Sequence, residues 1–321
     1  MFLAIFLLII GLVLLVKGAD WLVENASALA KKYNVSDLVI GLTIVAFGTS
    51  APELVVNIIA SLQKNQDIIL GNVIGSNNFN LFIILGITGL ISPIIVQKST
   101  VWKEIPFSFF AALLLFLLAN HLFDFNGGNL GRVDGIILFI MFLSFLYFIF
   151  KQMKNEAPIE STITENSIDK KISLIVVFLI LGLSSLILGG KLVVDNAVII
   201  ATNLGINEKL IGLTIVAAGT SLPELATSVV AALKKNNDIA MGNIIGSNIF
   251  NIFLILSISS IINPIGYNTA FNTDLVILMI GTIFVFIAMF TSGKRILDRW
   301  EAMVLLVSYV AYMVYLVAKE M

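Results

Sequence analysis

The sequence predicts an all-α integral membrane protein of ten transmembrane helices, arranged as two inverted five-helix repeats. Three observations carry this reading. Hydrophobic residues make up 59% of the 321-residue chain and charged residues only 12%, too little charge to coat a water-soluble globule. The apolar residues fall in runs of about 20, the length a helix needs to cross a bilayer. Residues 36–80 also align without a gap on 207–251, with 27 of 45 positions identical, a repeat that chance does not produce.

The first window, 2–29, has no basic residue ahead of it and no small-residue cleavage site behind it, so a retained helix is expected rather than a signal peptide. Windows at 38–62, 69–91, 102–121 and 132–152 complete a first unit, residues 1–153. KNEAPIESTITENSIDKK at 154–171 is polar and too short for a domain, which makes it a linker. Windows at 172–203, 209–233, 240–262, 274–291 and 298–318 make the second unit, residues 172–321. The Phe-rich stretches at 107–123 and 139–150 are expected to face lipid, and the single histidine, His121, to sit at a helix end beside Asp124.

Orientation follows from the connections that carry positive charge. With the N-terminus outside, the inner connections hold Lys31, Lys32, Lys98, Lys103, Lys151, Lys154, Lys170, Lys171, Lys234, Lys235, Lys294, Arg295 and Arg299, thirteen of the nineteen basic residues. Both termini are then extracellular and 154–171 is cytoplasmic. Five spans per unit force the second copy upside down. Inverted repeats of this kind characterise secondary transporters, whose site lies at the membrane midplane on interrupted helices.

Each copy holds a polar hexapeptide within an apolar run: GTSAPE at 48–53 and GTSLPE at 219–224. Pro52 and Pro223 lack an N–H and clash with the turn before them, so the helices are expected to open around Gly48 and Thr49, and around Gly219 and Thr220. An unpaired amide-like group in hydrocarbon costs roughly 2–7 kcal/mol, and a cation satisfies the freed carbonyls. Ala46, Thr49 or Ser50, Glu53 and Asn57 share one helix face, as do Ala217, Thr220 or Ser221, Glu224 and Ser228.

The following segments, GNVIGSNNFN at 71–80 and GNIIGSNIFN at 242–251, carry a second stripe: Asn72, Ser76 and Asn80, matched by Asn243, Ser247 and Asn251. Helices 2, 3, 7 and 8 therefore converge near the bilayer centre. Gly71 with Gly75, and Gly242 with Gly246, have the spacing that lets backbones approach closely. Asn72 and Asn243 either tie the broken helices together or touch ions. Asp20, Glu24 and Asp195 are read as partners of Lys17 and Lys191 or as residues near the interface. Every candidate ligand is oxygen, which suits Ca²⁺ and Na⁺, whereas zinc or copper calls for Cys, absent here, or for more than one His. Two carboxylates balance one Ca²⁺ or two Na⁺, so both ions can compete for one site.

The paired GTSxPE and GNxxGSNxxN motifs resemble the repeats of the sodium/calcium exchanger family of calcium:cation antiporters, and the chain is similar to its prokaryotic members. The resemblance implies a secondary active antiporter exchanging Ca²⁺ for Na⁺ by alternating access in the cell membrane. It implies a calcium site of Glu53 and Glu224 with carbonyls near Thr49 and Thr220, flanked by sodium sites using Ala46, Thr49, Ser76, Ala217, Thr220 and Ser247. A well-known prokaryotic pattern has Asp where this chain has Asn251, and 154–171 is too short for the large cytoplasmic calcium-sensing domain of eukaryotic members.

Two rival readings keep the spans: the same fold coupled to K⁺ or H⁺, and a passive cation channel. An intramembrane hydrolase fails, because the chain has no HExxH motif and its one histidine is far from a central serine. No enzyme activity, cofactor or nucleic-acid partner is expected. The expected unit is a monomer in membrane lipid, with Ca²⁺ and Na⁺ as substrates.

Overall fold

The computed structural model describes residues 1–120, 128–153, 171–204, 217–291 and 295–320. His121, Asp124, most of the 154–171 linker and the start of the seventh window lie outside these residues. The elements run α1 (Phe2–Tyr33), α2 (Asp37–Thr49), α3 (Ala51–Leu62), α4 (Gln66–Ile91), β1 (Ile94–Ile95), α5 (Thr100–Ala119), β2 (Asn129–Leu130) and α6 (Arg132–Met153). The second half runs α7 (Ile172–Asn203), α8 (Ala217–Gly219), α9 (Leu222–Leu233), α10 (Asn237–Ile262), β3 (Ile265–Gly266), α11 (Phe271–Thr291), β4 (Ile296–Leu297) and α12 (Arg299–Glu320).

Among the described residues, α1, α4, α5, α6, α7, α10 and α11 are long and apolar enough to cross a membrane. The bent pair α2 and α3 makes an eighth span if counted as one, and α9 is a shorter apolar helix. To this helical architecture the structure adds two antiparallel ladders of two residues per strand. β1 pairs with β4, Ile94 opposite Leu297, and β2 with β3, Leu130 opposite Ile265. Each ladder joins a connection of the first half to one of the second. Beside the second ladder, Asn120 and Asn272 exchange amide hydrogen bonds at 2.8 Å, and the Tyr267 hydroxyl donates to Asn272 Oδ1 at 2.7 Å. Burial, and then the charge of Asp274, push the Tyr267 phenol up to about 12, so it stays a donor at any working pH.

Helix α1 spans about 48 Å at 1.5 Å per residue, longer than a hydrocarbon core of about 30 Å. It ends where Asn34 turns left-handed (φ 58°) and its N–H reaches Ala30 O and Lys31 O, with Lys31 and Lys32 placed favourably at the negative end of the helix dipole. α1 packs against α7 backbone to backbone. A Cβ on Gly18 would lie 2.8 Å from Gly182 O, and one on Gly189 would lie 2.8 Å from Gly11 O. Position 11 meets 189 and 18 meets 182, so these two equivalent helices run antiparallel.

Asp20 departs from expectation. Its partner is Lys234, at 2.5 Å from Asp20 Oδ1, rather than Lys17; the turn between α9 and α10 brings a lysine across from the other half. Beside it, Asn236 Nδ2 donates to Ser27 Oγ (2.8 Å) and Asp37 Oδ2 (2.7 Å). Lys191 and Asp195 are exposed on α7.

The Phe-rich helices also differ from expectation. Phe145 is fully buried, its ring stacked on Phe107 at 5.3 Å, and Phe107 and Phe142 make edge contacts with Phe253 and Phe250 of α10. Rings on one side of α5 and α6 thus form the interior wall behind the polar centre, because α10 is buried on nearly every side and needs apolar neighbours all round. Phe110 and Phe150, on the other side, remain exposed.

Candidate functional site

The two broken helices position the carboxylates. Pro52 is the second residue of α3, where a missing N–H is tolerated, and it leaves Gly48 O without its helical donor. The chain turns at Ser50 (φ −81°, ψ 7°) and the helix bends by 46°. Ser221 (φ −85°, ψ 7°) repeats the turn ahead of Pro223. The first break falls at Ser50, one residue beyond the expected opening, because the helix continues through Thr49; the second takes in Thr220, as expected, together with Ser221. Ala46 O is not released: it accepts Ser50 N at 3.0 Å and lies 3.3 Å from Thr49 Oγ1. Ala217 begins α8, and the surroundings of its side chain lie outside the described residues.

Each break is braced by the other half of the chain. Ser50 Oγ donates to Glu224 Oε1 at 2.9 Å and Ser221 Oγ to Glu53 Oε1 at 3.3 Å. Thr49 Oγ1 donates to Asn243 Oδ1 at 3.0 Å and Thr220 Oγ1 to Asn72 Oδ1 at 3.3 Å. The amide nitrogens of the same two asparagines reach back to their own halves. Asn72 Nδ2 donates to Glu53 O and Asn57 Oδ1, and Asn243 Nδ2 to Glu224 O and Ser228 Oγ. Asn72 and Asn243 therefore act as ties, holding one half's threonine hydroxyl to the other half's glutamate backbone. Each of these hydrogen bonds between the halves recurs with its partners exchanged, the signature of a local two-fold axis.

The second stripe crosses that axis. Asn77 Nδ2 donates to Asn248 O (3.3 Å) and Asn248 Nδ2 to Asn77 O (3.4 Å), while Asn80 Nδ2 donates to Asn248 Oδ1 (3.1 Å) and Asn251 Nδ2 to Asn77 Oδ1 (3.0 Å). Just here α4 and α10 widen into π turns, at Phe79–Ile84 and Asn251–Ile255, and a third π turn, Gly41–Val45, precedes the first break. Such turns gather at functional sites. Asn77 and Asn248 escaped the sequence reading, although both stand in the duplicated GSNxxN motif. An i, i+4 stripe through 72, 76 and 80 passes them by, since each stands one residue along the helix from its serine.

Six buried side-chain oxygens in this centre have no hydrogen-bond partner, and they form three related pairs: Glu53 Oε2 with Glu224 Oε2, Ser76 Oγ with Ser247 Oγ, and Asn80 Oδ1 with Asn251 Oδ1. Both glutamates are only 1% exposed. Leaving polar atoms in this state is costly, and hard cations, which are bound by oxygen alone, are the kind of partner such atoms lack. Among the described residues no group of three or more His, Cys, Asp and Glu occurs. The charge is thus two carboxylates among neutral oxygens, a set suited to alkali and alkaline-earth ions.

The flanking glycines act unequally. Gly242 and Gly246 seat α10 against α2, a Cβ there falling 2.9 Å from Leu38 O and 2.8 Å from Ala46 Cβ respectively. Gly71 approaches only the Phe271 ring among the described residues, at 3.9 Å, and most of the stretch equivalent to α2 lies outside those residues. The two sides of the centre also differ in access: Thr49 and Asn243 are fully buried, Thr220 and Asn72 partly exposed.

Comparison with known proteins agrees with this geometry. Residues 3–151 and 174–318 match the family described as sodium/calcium exchanger protein. The chain is 34% identical over 345 residues to the sodium/calcium exchanger MaX1 of Methanosarcina acetivorans, covering 97% of each protein. It is 38% identical over 320 residues to the putative antiporter CaxA of Alkalimonas amylolytica, covering 97% of this chain and 98% of that one. Among solved structures it superposes on the sodium-calcium exchanger NCX_Mj, soaked with 2.5 mM Na⁺ and 0.1 mM Ca²⁺, with a TM-score of 0.80 and 32% identity, over 97% of this chain and 98% of that one. The chain belongs to the sodium/calcium exchanger family and is a membrane-embedded cation antiporter.

Proposed function

We propose, with membership of the sodium/calcium exchanger family as the premise, that this protein exchanges Ca²⁺ for Na⁺ across the cell membrane by alternating access. The observation that carries the reading is the set of six unpartnered oxygens related in pairs about the two carboxylates. Two negative charges are neutralised by one Ca²⁺ or by two Na⁺, so one ion species displaces the other. The ligands are Glu53, Glu224, Ser76, Ser247, Asn80 and Asn251, together with carbonyls of the two breaks. Ser50 and Ser221 brace the carboxylates, Thr49 and Thr220 brace the asparagine ties, and these four contribute oxygens as the ions shift, with Ala46 and Ala217 one turn ahead of the serines. The protein needs no cofactor and carries out no enzymatic chemistry.

The chain crosses the membrane ten times, with α2 and α3 forming the second span and the segment ending in α8 and α9 the seventh. The units are residues 1–153 and 172–321, joined by a cytoplasmic linker at 154–171, and the protein works as a monomer. The antiparallel packing of α1 on α7 supports inversion of the second unit, since equivalent helices pointing oppositely is what an odd number of spans per unit requires. The basic residues set both termini outside. In this orientation the partly exposed Asn72 and Thr220 lie on the extracellular side of the site, and the buried Thr49 and Asn243 on the cytoplasmic side.

Uptake of radiolabelled Ca²⁺ into proteoliposomes preloaded with Na⁺, K⁺ or choline, with the pH controlled on each side, tests the function. Uptake is expected only with internal Na⁺. Equal uptake with K⁺ reassigns the coupling ion, uptake driven by a pH difference points to H⁺, and uptake into choline vesicles that needs no counter-ion makes the protein a channel. Topology is tested separately in this cysteine-free chain. Single cysteines at Asn155 and Asn207 are expected to react with an impermeant thiol reagent from opposite sides of the membrane. Same-side labelling refutes the span count.

A further inference from the structure

We infer that Asn77 and Asn248 are positioning residues that fix the amides of Asn80 and Asn251 with their oxygens turned to the transported ion. The inference rests on the ion-exchange reading of the site and adds residues that the spacing of the motif did not single out. Its starting point is a backbone carbonyl, which can only accept. Asn248 O is approached by the Asn77 amide at 3.3 Å, so the group facing it must be the Asn77 NH₂. The Asn77 Oδ1 then faces Asn251 at 3.0 Å, so Asn251 must present its own NH₂ there. The one atom left is Asn251 Oδ1, which is buried and has no partner.

The mirror chain runs identically. Asn77 O accepts Asn248 Nδ2 at 3.4 Å, Asn248 Oδ1 accepts Asn80 Nδ2 at 3.1 Å, and Asn80 Oδ1 is left buried and unpartnered. Turning over either outer amide would set oxygen against oxygen in a buried site, and turning over its inner partner as well would set oxygen against a backbone carbonyl. Two carbonyls fixed by the helices therefore dictate which end of each outer amide points inward. An asparagine free to turn would offer NH₂ to a cation part of the time. Asn77 and Asn248, both at or below 1% exposed, remove that alternative at two ligands without adding charge.

The test is a pair of double-mutant cycles, Asn77→Ala with Asn251→Ala and Asn248→Ala with Asn80→Ala. The readout is equilibrium binding of radiolabelled Na⁺ and Ca²⁺ to the purified full chain in lipid nanodiscs, with thermal unfolding measured on the same samples. Losing one orienting hydrogen bond is expected to weaken ion binding about 3- to 10-fold. If Asn77 acts through Asn251, the double variant binds no worse than Asn251→Ala alone, a non-additivity that mere loss of packing would not give. Additive losses in both cycles overturn the inference, as does unchanged ion affinity in Asn77→Ala and Asn248→Ala whose unfolding temperature alone falls. If neither Asn77→Ala nor Asn248→Ala folds while Asn80→Ala and Asn251→Ala do, the inner pair serves assembly of α4 on α10 and the inference is again overturned. If the parent binds neither ion, the functional reading falls and takes this inference with it, whereas parental binding with additive losses removes the inference alone.

Discussion

Glu53→Gln and Glu224→Gln are each expected to abolish Na⁺-dependent Ca²⁺ uptake while the protein still folds. Glu53 Oε1 accepts Ser221 Oγ, and Oε2 is the unpartnered atom. A glutamine keeps the serine contact with its own Oε1, so its NH₂ takes the place of Oε2 and turns hydrogens toward the cation. The variant therefore loses a charge, loses a ligand and gains two misdirected donors. Removing one partner of a buried charge pair costs about 3–5 kcal/mol, which corresponds to roughly 100- to 4,000-fold in Ca²⁺ affinity. Folding is spared, since the substitution is isosteric and separates no ion pair in the described residues: Glu53 and Glu224 are held by serines, not by bases. The check is uptake in proteoliposomes alongside thermal unfolding. Wild-type uptake by either variant would remove that glutamate from the site.

Much of this centre is written in the sequence, because the chain states it twice. Pro52 and Pro223 announce the breaks through covalent chemistry alone, and the four-residue spacing of Asn72, Ser76 and Asn80 follows from helical geometry. What could not be read depends on the second copy in space. Nothing near Asp20 in the chain favours Lys234 over Lys17; only the packing of α1 under the turn after α9 decides it. Nothing in SNNFN tells an asparagine paired at both ends of its amide from one whose oxygen is left without a partner, because the difference lies in what stands opposite in the other half. The π turns at Phe79–Ile84 and Asn251–Ile255 follow sequences with no residue signature for them. Phe145 shows the same limit: lipid and a buried apolar wall favour the same side chain.

A covalent link between residues 20 and 234 is expected to stop turnover without weakening equilibrium ion binding. We propose that alternating access is achieved as the antiparallel pair α1 and α7 moves across a fixed core, opening one side of the site as it closes the other. The packing of this pair supports that role. Leu183 and Val194 of α7 lie against Gly48 and Gly219, where a Cβ would come within 2.4 and 2.3 Å of them, so α7 reaches both breaks. It also shows which side is fastened. Asp20 and Ser27 of α1 are held by Lys234 and Asn236. The positions equivalent by the repeat are Lys191 and Val198 on α7, and Gln63 and Asn65 after α3, which cannot form the same ion pair. The native fastening is weak, because its two charges are partly exposed, at 30% and 39%, and a pair in that setting contributes only about 0–1 kcal/mol. It can therefore release in each cycle, and a covalent bond cannot. Asp20→Cys with Lys234→Cys gives the only two thiols in the chain, and a short bifunctional thiol reagent joins them. Uptake is expected to fall by at least about tenfold on crosslinking and to recover when a cleavable reagent is cut, while Na⁺ and Ca²⁺ binding at equilibrium stay within about twofold of the parent. Full turnover with complete crosslinking would mean that α1 does not move relative to α9, and the gate would have to be sought in the broken helices themselves.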